Sequence, residues 1–449
     1  MRGFVKKLKP TPKFGSSLGV VMATAGAAVG LGNIWRFPFV VGENGGGAFL
    51  IPYLLAIAII GIPMMIVEMA AGRSSGAGVI GTFVKLAKRT KWAAVLVIII
   101  SLFLLSYYLV ITGWTIGYFV SSLLGSHPVF SDFIRGYNAL GYFFVALAIT
   151  GLTIFLGVNQ GIEATSKILM PMLLLVIVGL AIYVVALPGW GDALTFYLTP
   201  KLDVLFDIKV WVRAVGQAFF SVGVGMGVLV TYGAYMKKDI DLVRTASIVA
   251  IADGAIAFLA GLIIFPIAFS FGSDPASGPQ LAFETLPKAF DSFHPIVGFV
   301  IAVFFYLALS VAALTSAISL LEAVTIGFKE LFSLSRNKSL GLAVAAIFML
   351  GLPSALSYSP VNLKIGEFPF LDAMDLFVSN VGLQVSVLVT AIIVAWQGSE
   401  YIQKELPSVF PSARAIIWIV RWIVPIAIAM LLMVMAVEWF QHRIIPQGG

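Results

Sequence analysis

Charged and oxygen-bearing side chains occur inside apolar segments long enough to cross a membrane. Five charged residues in these segments stand out: Arg36, Glu68, Asp253, Glu322 and Asp375. An ionised side chain at bilayer depth is costly unless it is paired, so each of these predicts a partner. Amide and hydroxyl oxygens, which suit a hard cation such as Na⁺, occur at Asn33, Ser221, Thr315 and Ser316. We expect these oxygens to bind a cation, with Asp253 as a ligand rather than a carboxylate satisfied by backbone amides. Arg36 and Asp375 are expected to pair above the site.

Two apolar segments contain glycines where a continuous helix would avoid them. One reads AGAAVGLGNIWRFP over residues 25–38, and the other reads GQAFFSVGVGMGV over residues 216–228. Each glycine weakens a helix interior by about 1 kcal/mol relative to alanine, and backbone groups freed in a bilayer need polar partners. Close helix packing through small residues is the alternative. We expect two helices broken at mid-membrane, whose exposed amides and carbonyls would hold an anionic group and a cation.

The composition is that of a polytopic membrane protein. Of the 449 residues 60% are apolar and 11% are charged, and the mean hydropathy is +1.03. Segments of about 20 apolar residues, enough to cross the hydrocarbon core, recur along the whole chain. Eleven spans are predicted, at about 17–40, 48–70, 92–124, 141–157, 162–186, 211–235, 242–271, 295–329, 339–356, 373–396 and 415–440.

The two glycine-broken spans are the first and the sixth, and this interval of five indicates an internal repeat. Because five is odd, the second copy would enter the membrane in the opposite orientation, as in inverted-repeat transporters. A single transporter domain, 1–449, is therefore expected to comprise a first repeat at 15–190, a second at 205–400 and an extra helix at 414–441.

The distribution of lysine and arginine predicts the orientation of the chain. With a cytoplasmic amino terminus, 20 of the 28 positive residues fall on the cytoplasmic side, and an odd number of spans places the carboxyl terminus outside. We expect a multi-pass protein of the inner (plasma) membrane. The net charge of +7 then reflects topology, and neither a nucleic-acid partner nor an obligate protein partner is indicated. The absence of cysteine excludes disulfides and thiolate metal sites.

Six motifs carry a resemblance to a known family. They are GAAVGLGNIWRFP at 26–38, ENGGGAFLIPY at 43–53, the pair Tyr107-Tyr108, GQAFFS at 216–221, ALTS at 313–316 and LDAMD at 371–375. Together they closely resemble the neurotransmitter:sodium symporter family over nearly the whole chain. A count of eleven spans resembles that of a bacterial subgroup of this family, whose members transport several hydrophobic amino acids. The resemblance implies an all-α fold with a five-plus-five inverted repeat and discontinuous helices 1 and 6.

The resemblance also assigns roles to residues. It implies a first sodium site at Ala28, Asn33, Ser221 and Asp253, and a second at Gly26, Val29, Ala312, Thr315 and Ser316. Substrate contacts would come from Ala28, Leu31, Gly32, Leu104, Tyr108, Phe220, Ser221, Gly223, Met226, Ser316, Ala317 and Leu320. An outer gate would use Tyr108, Phe220, Arg36 and Asp375, and an inner gate Glu330 and Tyr235 with Lys9 or Lys13 as basic partner.

These roles imply Na⁺-coupled uptake of aliphatic and aromatic L-amino acids by alternating access, with two sodium ions as co-transported cofactors. Asp253 would supply the negative charge that a bound chloride supplies in animal members, so we expect chloride independence. Gly161 and Pro171 in the fifth span are expected to let that helix unwind, although a static kink is the alternative. Proton coupling through Asp253, a channel, an amino-acid sensor and an intramembrane enzyme remain as alternatives.

Overall fold

The computed structural model describes residues 12–126, 128–272, 274, 281–406 and 413–444. Most of this part of the chain is helical. The first helices are α1 (Ser17–Ala28), α2 (Gly32–Glu43), α3 (Gly47–Ser75), α4 (Val79–Leu86), α5 (Lys91–Leu123), α6 (Phe130–Arg135), α7 (Asn138–Phe155), α8 (Val158–Ala186), α9 (Trp190–Leu198), α10 (Leu202–Leu205), α11 (Ile208–Ser221) and α12 (Val228–Tyr235). They are followed by α13 (Leu242–Ser270), α14 (281–291), α15 (Pro295–Phe332), α16 (Arg336–Ala355), the antiparallel strands β1 (Lys364–Ile365) and β2 (Phe368–Pro369), α17 (Phe370–Gln397), α18 (Ser399–Glu405) and α19 (413–444).

Among the described residues, nine continuous helices are long and apolar enough to cross a membrane. These are α3, α5, α7, α8, α13, α15, α16, α17 and α19. A tenth crossing is the pair α1 and α2, which meet at a 48° bend. The pair α11 and α12 is divided by residues 222–227, at the position of the sixth predicted span. The edges of the predicted spans agree with these helices to within five residues.

Both predicted interruptions are present, and each has a local cause. Between α1 and α2 the amide of Gly30 turns to the Asn33 side chain, at 3.0 Å from its Oδ1. Between α11 and α12 the three glycines 223, 225 and 227 have φ of +69°, +75° and +74°, a conformation that other residues rarely adopt. These segments are therefore broken by the main chain itself rather than only bent.

Side chains from neighbouring spans satisfy the backbone freed in the second break. Glu68 of α3 accepts a hydrogen bond from the Gly225 amide at 2.7 Å, and Ser101 of α5 donates to the Met226 carbonyl at 2.8 Å. The Glu68 side chain is fully buried. Glu68, a charge for which the sequence predicted a partner, thus ties the second broken segment to α3.

Long helices surround the two broken segments. Helix α15 packs against α1, α5, α8 and α16, while α13 packs against α1 and α9. The membrane-embedded centre of the molecule is thus formed by α1, α2, α11 and α12, with α5, α13 and α15 around them. This arrangement brings Asn33, Ser221, Asp253, Thr315 and Ser316 to one region although they lie far apart in the sequence.

Candidate functional site

The first group of oxygen ligands lies where the break after α1 meets the end of α11. The Nδ2 of Asn33 donates to Ser221 Oγ at 3.0 Å and to Asp253 Oδ1 at 2.7 Å. Ser221 Oγ in turn donates to Asp253 Oδ2 at 2.6 Å. Asn33 and Asp253 are 0% exposed, so this carboxylate has no access to bulk water. The cluster brings a carboxylate, a hydroxyl and an amide together, with the amide Nδ2 facing the carboxylate and its Oδ1 accepting from the Gly30 amide. Oxygen atoms of these three group types are the donors that hard cations take.

Two further polar side chains complete the surroundings of this cluster. The Tyr53 hydroxyl lies 3.1 Å from Ser221 Oγ, and Gln217 Nε2 donates to the Gly32 carbonyl at 3.0 Å. Gln217 Oε1 has no hydrogen-bond partner among the described residues. Tyr53 reaches Asp253 through Ser221, and Gln217 reaches the same region through the main chain of Gly32.

The second group of ligands lies between the end of α1 and the middle of α15. The hydroxyl of Ser316 lies 3.2 Å from the Val29 carbonyl and 3.4 Å from the carbonyls of Gly26 and Ala27. Thr315 Oγ1 is 3.0 Å from the Ala312 carbonyl. All five residues assigned to the second sodium site are thus brought together. A hydroxyl donates one hydrogen bond, so three carbonyls around Ser316 leave oxygen lone pairs free for a cation.

A small, mainly apolar cavity lies between the two groups. It is lined by Ala27, Ala28, Gly30, Gly32, Leu104, Tyr108, Phe220, Val222, Gly223, Met226, Val228, Leu229, Ser316 and Leu320. Of the assigned substrate residues, Leu31, Ser221 and Ala317 do not line it. Tyr108 Oη accepts a hydrogen bond from the Leu31 amide at 3.4 Å. The cavity therefore has backbone amides and one phenol at its polar end and hydrocarbon elsewhere.

Glycine at positions 30 and 32 is required by the space beside this cavity. A Cβ on Gly30 would lie 2.5 Å from Ser316 Oγ and 3.0 Å from the Tyr108 hydroxyl. A Cβ on Gly32 would lie 2.9 Å from the Phe220 ring. Carbon atoms in folded proteins do not approach so closely, so the side chains around the cavity use the room left by these glycines.

Above the cavity, on the side opposite the start of α1, the chain forms a vestibule. Arg36, Phe39 and Asp375 line both of its compartments, and the guanidinium of Arg36 lies over the Phe220 ring, 4.6 Å from its centroid. Arg36 donates to Asn380 Oδ1 at 3.3 Å, while Asp375 accepts from the Tyr107 hydroxyl at 3.0 Å. Among the described residues Arg36 and Asp375 do not form an ion pair, so the two charges face each other across an open gap.

On the opposite side the residues assigned to an inner gate take part in separate contacts. The Tyr235 hydroxyl donates to Glu322 Oε1 at 2.5 Å, and Arg336 pairs with Glu322 Oε2 at 2.6 Å. Glu330 instead accepts hydrogen bonds from the amides of Gly78 and Gly81, at 2.6 and 2.9 Å. The structure thus does not bring Tyr235 and Glu330 together.

Of the two lysines expected as the basic partner of that gate, the structure describes one. The Lys13 ammonium donates to the carbonyls of Ala234 and Met236, at 2.8 and 3.0 Å, while Lys9 lies outside the described residues. Burial and the nearby charges of Lys238 and Arg73 lower the pKa of Lys13. Lys13 therefore fastens the segment before α1 to the end of α12 without contacting an acidic gate residue directly.

Helix α8, which contains Gly161 and Pro171, is attached to the same segment. It opens with a wide π turn over Val158–Glu163 and continues through Pro171 without a break. Glu163 accepts hydrogen bonds from the Gly15 amide at 2.6 Å and from the Ser16 hydroxyl at 2.9 Å. The first turn of α8 is thus coupled to the start of α1.

Two of these contacts were not predicted from the sequence. Glu322 was singled out from the sequence as a charge needing a partner, but Arg336 was not named as that partner. Glu163 was not considered. For Arg336 the signal was present, since a carboxylate in an apolar span requires a cation nearby. Glu163 also pairs with Lys167, four residues later, but nothing in the sequence indicated its contacts with Gly15 and Ser16, more than one hundred residues earlier.

Comparison with known proteins now identifies the family. The model of the sodium:neurotransmitter symporter family matches residues 11–131 and 137–445. The chain belongs to that family. It is 33% identical to an uncharacterised sodium-dependent transporter of Haemophilus influenzae, over 94% of this chain and 97% of the relative. An uncharacterised sodium-dependent transporter of Methanocaldococcus jannaschii is 34% identical, over 85% and 81% of the two chains.

The fold of this symporter is shared with a solved transporter structure. The crystal structure of MhsT in complex with L-phenylalanine superposes with a TM-score of 0.86 at 37% identity, covering 94% of this chain and 99% of MhsT. The resemblance and the fold class inferred from the sequence are confirmed. The protein is a multi-pass membrane transporter of a sodium-dependent symporter family, and family membership excludes the intramembrane enzyme.

Proposed function

We propose that the protein imports hydrophobic L-amino acids together with two sodium ions, independently of chloride and by alternating access. The first ion is held by the backbone of Ala28 and by Asn33, Ser221 and Asp253. The second ion lies among Gly26, Val29, Ala312, Thr315 and Ser316. The amino acid occupies the cavity between them. The protein resides in the inner membrane with its amino terminus in the cytoplasm and its carboxyl terminus outside.

The observation that carries this proposal is the buried Asn33, Ser221 and Asp253 cluster at the edge of the broken α1. A carboxylate with no water access requires a compensating positive charge, and the nearest groups, an amide and a hydroxyl, are neutral. A sodium ion supplies that charge. Because the carboxylate is fixed in the protein, a bound chloride is not needed to balance the cation.

The cavity lining supports an amino acid with an apolar side chain. Leu104, Met226 and Leu320 supply hydrocarbon, while Gly30, Gly32 and Tyr108 line the polar end, where the substrate carboxylate would bind. Gly30 carries no acidic side chain that could bind a substrate amine, so this end of the cavity has room for the carboxylate of an amino acid. The solved relative MhsT was crystallised with L-phenylalanine, which is the class of solute proposed here.

The direct test is uptake of radiolabelled leucine into proteoliposomes containing the purified full chain. A sodium gradient without a pH gradient should drive accumulation, and replacing chloride by gluconate should leave the rate unchanged. All twenty amino acids are then added as competitors, and those with apolar side chains should compete. Uptake driven only by a pH gradient would instead support proton coupling through Asp253. Leucine binding without net flux would support a sensor, and a steady current uncoupled from leucine would support a channel.

A further inference from the structure

The corner where α4 meets α5 carries positive charge only. Lys85 lies on α4, Lys88 and Arg89 lie in the turn, and Lys91 begins α5. The chain contains no aspartate or glutamate between residues 69 and 131. This stretch of sequence therefore contributes positive charge only, with no acidic residue close to it in the chain.

Three of these four cations are available to a partner. Lys88, Arg89 and Lys91 are exposed, and none forms a hydrogen bond or an ion pair with another residue of the described chain. Lys85 differs, because it donates to the Ser74 carbonyl at 2.7 Å and its ammonium lies 5.9 Å from the centre of the Tyr401 ring. The free charge is thus concentrated at the turn itself.

An exposed indole lies directly beside these cations. Trp92, in the first turn of α5, is 80% exposed, and Leu96 and Ile99 continue an exposed apolar stripe along the same helix. Helix α5 crosses the membrane, so this stripe faces lipid tails. Tryptophan at the end of a span lies at the level of the lipid headgroups, which places Lys88, Arg89 and Lys91 at that same level.

We propose that the α4–α5 corner, defined as residues 85–92, is a docking surface for the headgroups of anionic phospholipids. The phosphate accepts hydrogen bonds from Lys88, Arg89 and Lys91, while Trp92 anchors the end of α5 in the same leaflet. Polybasic segments beside a span attract anionic lipid in this way, and the attraction declines within a Debye length.

Docking at this corner also affects the inner side of the transporter. The amides of Gly78 and Gly81, at the start of α4, both bind the Glu330 carboxylate of α15. Glu330 is directed at these amides and does not neutralise the turn. A headgroup that holds the corner in place therefore also holds α4 against α15, and anionic lipid stabilises the conformation in which this contact is closed.

The test measures lipid binding to the detergent-solubilised full chain by native mass spectrometry at low ionic strength. The added lipids are dioleoyl phosphatidylglycerol and, separately, dioleoyl phosphatidylcholine. The variant Lys88→Gln/Arg89→Gln/Lys91→Gln should bind phosphatidylglycerol roughly 100-fold more weakly, since each cation near a membrane surface contributes about fivefold. Binding of phosphatidylcholine should not change. The matched control Lys338→Gln/Lys404→Gln/Arg414→Gln removes the same charge from three separated exposed positions and should bind both lipids as the wild type does.

Two results would overturn the proposal. One is unchanged phosphatidylglycerol binding by the corner variant, and the other is an equal loss in both variants, which would reflect net charge alone. If the triple variant does not fold, Lys88→Gln alone should weaken binding about fivefold. Hydrogen exchange of residues 78–86 in nanodiscs gives a second measurement. Phosphatidylglycerol should slow it in the wild type and not in the corner variant, whereas equal exchange in both lipids would contradict the coupling to Glu330.

Discussion

Asp253 contributes the one formal charge of the cluster it forms with Asn33 and Ser221, and these contacts make its proposed role as a sodium ligand testable. Asp253→Asn keeps the size of the side chain but removes the charge that faces Asn33 and Ser221. We expect the sodium concentration for half-maximal leucine uptake to rise at least tenfold, which is the effect of about 1.4 kcal/mol. We also expect uptake to become faster in chloride than in gluconate, because an anion would replace the lost charge. The exposed Asp192→Asn is the control. Unchanged sodium dependence would exclude Asp253 as a ligand.

Gly30 permits a second test at the level of one atom. The Cβ of Gly30→Ala would lie 2.5 Å from Ser316 Oγ, so Ser316 must move away from the carbonyls of the second cation group. Leucine binding, measured by scintillation proximity on purified protein, should be lost at normal expression. Gly141→Ala, where a Cβ meets nothing within 4 Å, should bind leucine normally. Normal binding by Gly30→Ala would contradict the assigned position of the site.

The sequence predicted which residues meet better than it predicted their geometry. Asn33, Ser221, Asp253 and Ser316 are recognisable because amides, hydroxyls and a carboxylate are rare in apolar spans. Their distances depend on the breaks, whose shape no local pattern specifies. Gly223 illustrates the limit: it lines the cavity as expected, but its φ of +69° means that replacing it would strain the backbone as well as fill space.

Among the helices, α8 provides a test of the hinge hypothesis. Pro171 lacks an amide hydrogen, so the carbonyl four residues earlier is left without its helical partner. Pro171→Ala restores that bond, and we expect slower hydrogen exchange over residues 158–171 and slower sodium release to the inside. Gly179→Ala stabilises the same helix beyond this region, where a Cβ meets nothing within 4 Å, and should leave release unchanged. If Pro171→Ala changes neither quantity, Pro171 forms only a kink.

The contact between α12, α15 and α16 is predicted to stabilise the closed inner side. Glu322 is 0% exposed and depends on Arg336 and Tyr235 for compensation. Arg336→Met leaves a buried charge unpaired, which costs about 3–5 kcal/mol, so the midpoint of thermal unfolding in detergent should fall clearly. Glu322→Gln/Arg336→Met should recover part of the loss. The exposed Lys338→Met is the control, and an unchanged midpoint for Arg336→Met would show that the pair is not stabilising.

Helix positions were predictable because hydropathy depends on the sequence alone, whereas the short elements were not. Helices α4, α9 and α18 lie in loops whose composition shows no membrane signal, and α4 receives additional support from the carboxylate of Glu330. The second interruption was predictable because its three glycines have φ above +60°, a conformation that residue type encodes. The way in which α8 is fastened to the segment before α1 was not, since it depends on contacts between distant residues.

At the scale of the whole molecule, the vestibule is accessible while contacts close the opposite side. The chain contains no cysteine, so a single introduced thiol reports on one position. Phe39 lines both compartments of the vestibule. The variant Phe39→Cys should therefore react with a membrane-impermeant thiol reagent in a buffer that contains sodium ions. Adding leucine should slow the reaction, because Arg36 and Asp375 would approach each other over the bound solute. A rate that leucine does not alter would contradict closure of the vestibule. Phe206→Cys, at a side chain 89% exposed in the loop before α11, should react at the same rate in both conditions.

The two interruptions differ in length: residues 29–31 separate α1 from α2, whereas residues 222–227 separate α11 from α12. The shorter one brings the residues assigned to the two sodium sites together, while the longer one is fastened by Glu68 and Ser101 beside the apolar end of the cavity. For the proposed transporter, the range of accepted solutes can then change by substitution at Val222, Gly223 or Met226, which line the cavity, without disturbing the shorter interruption.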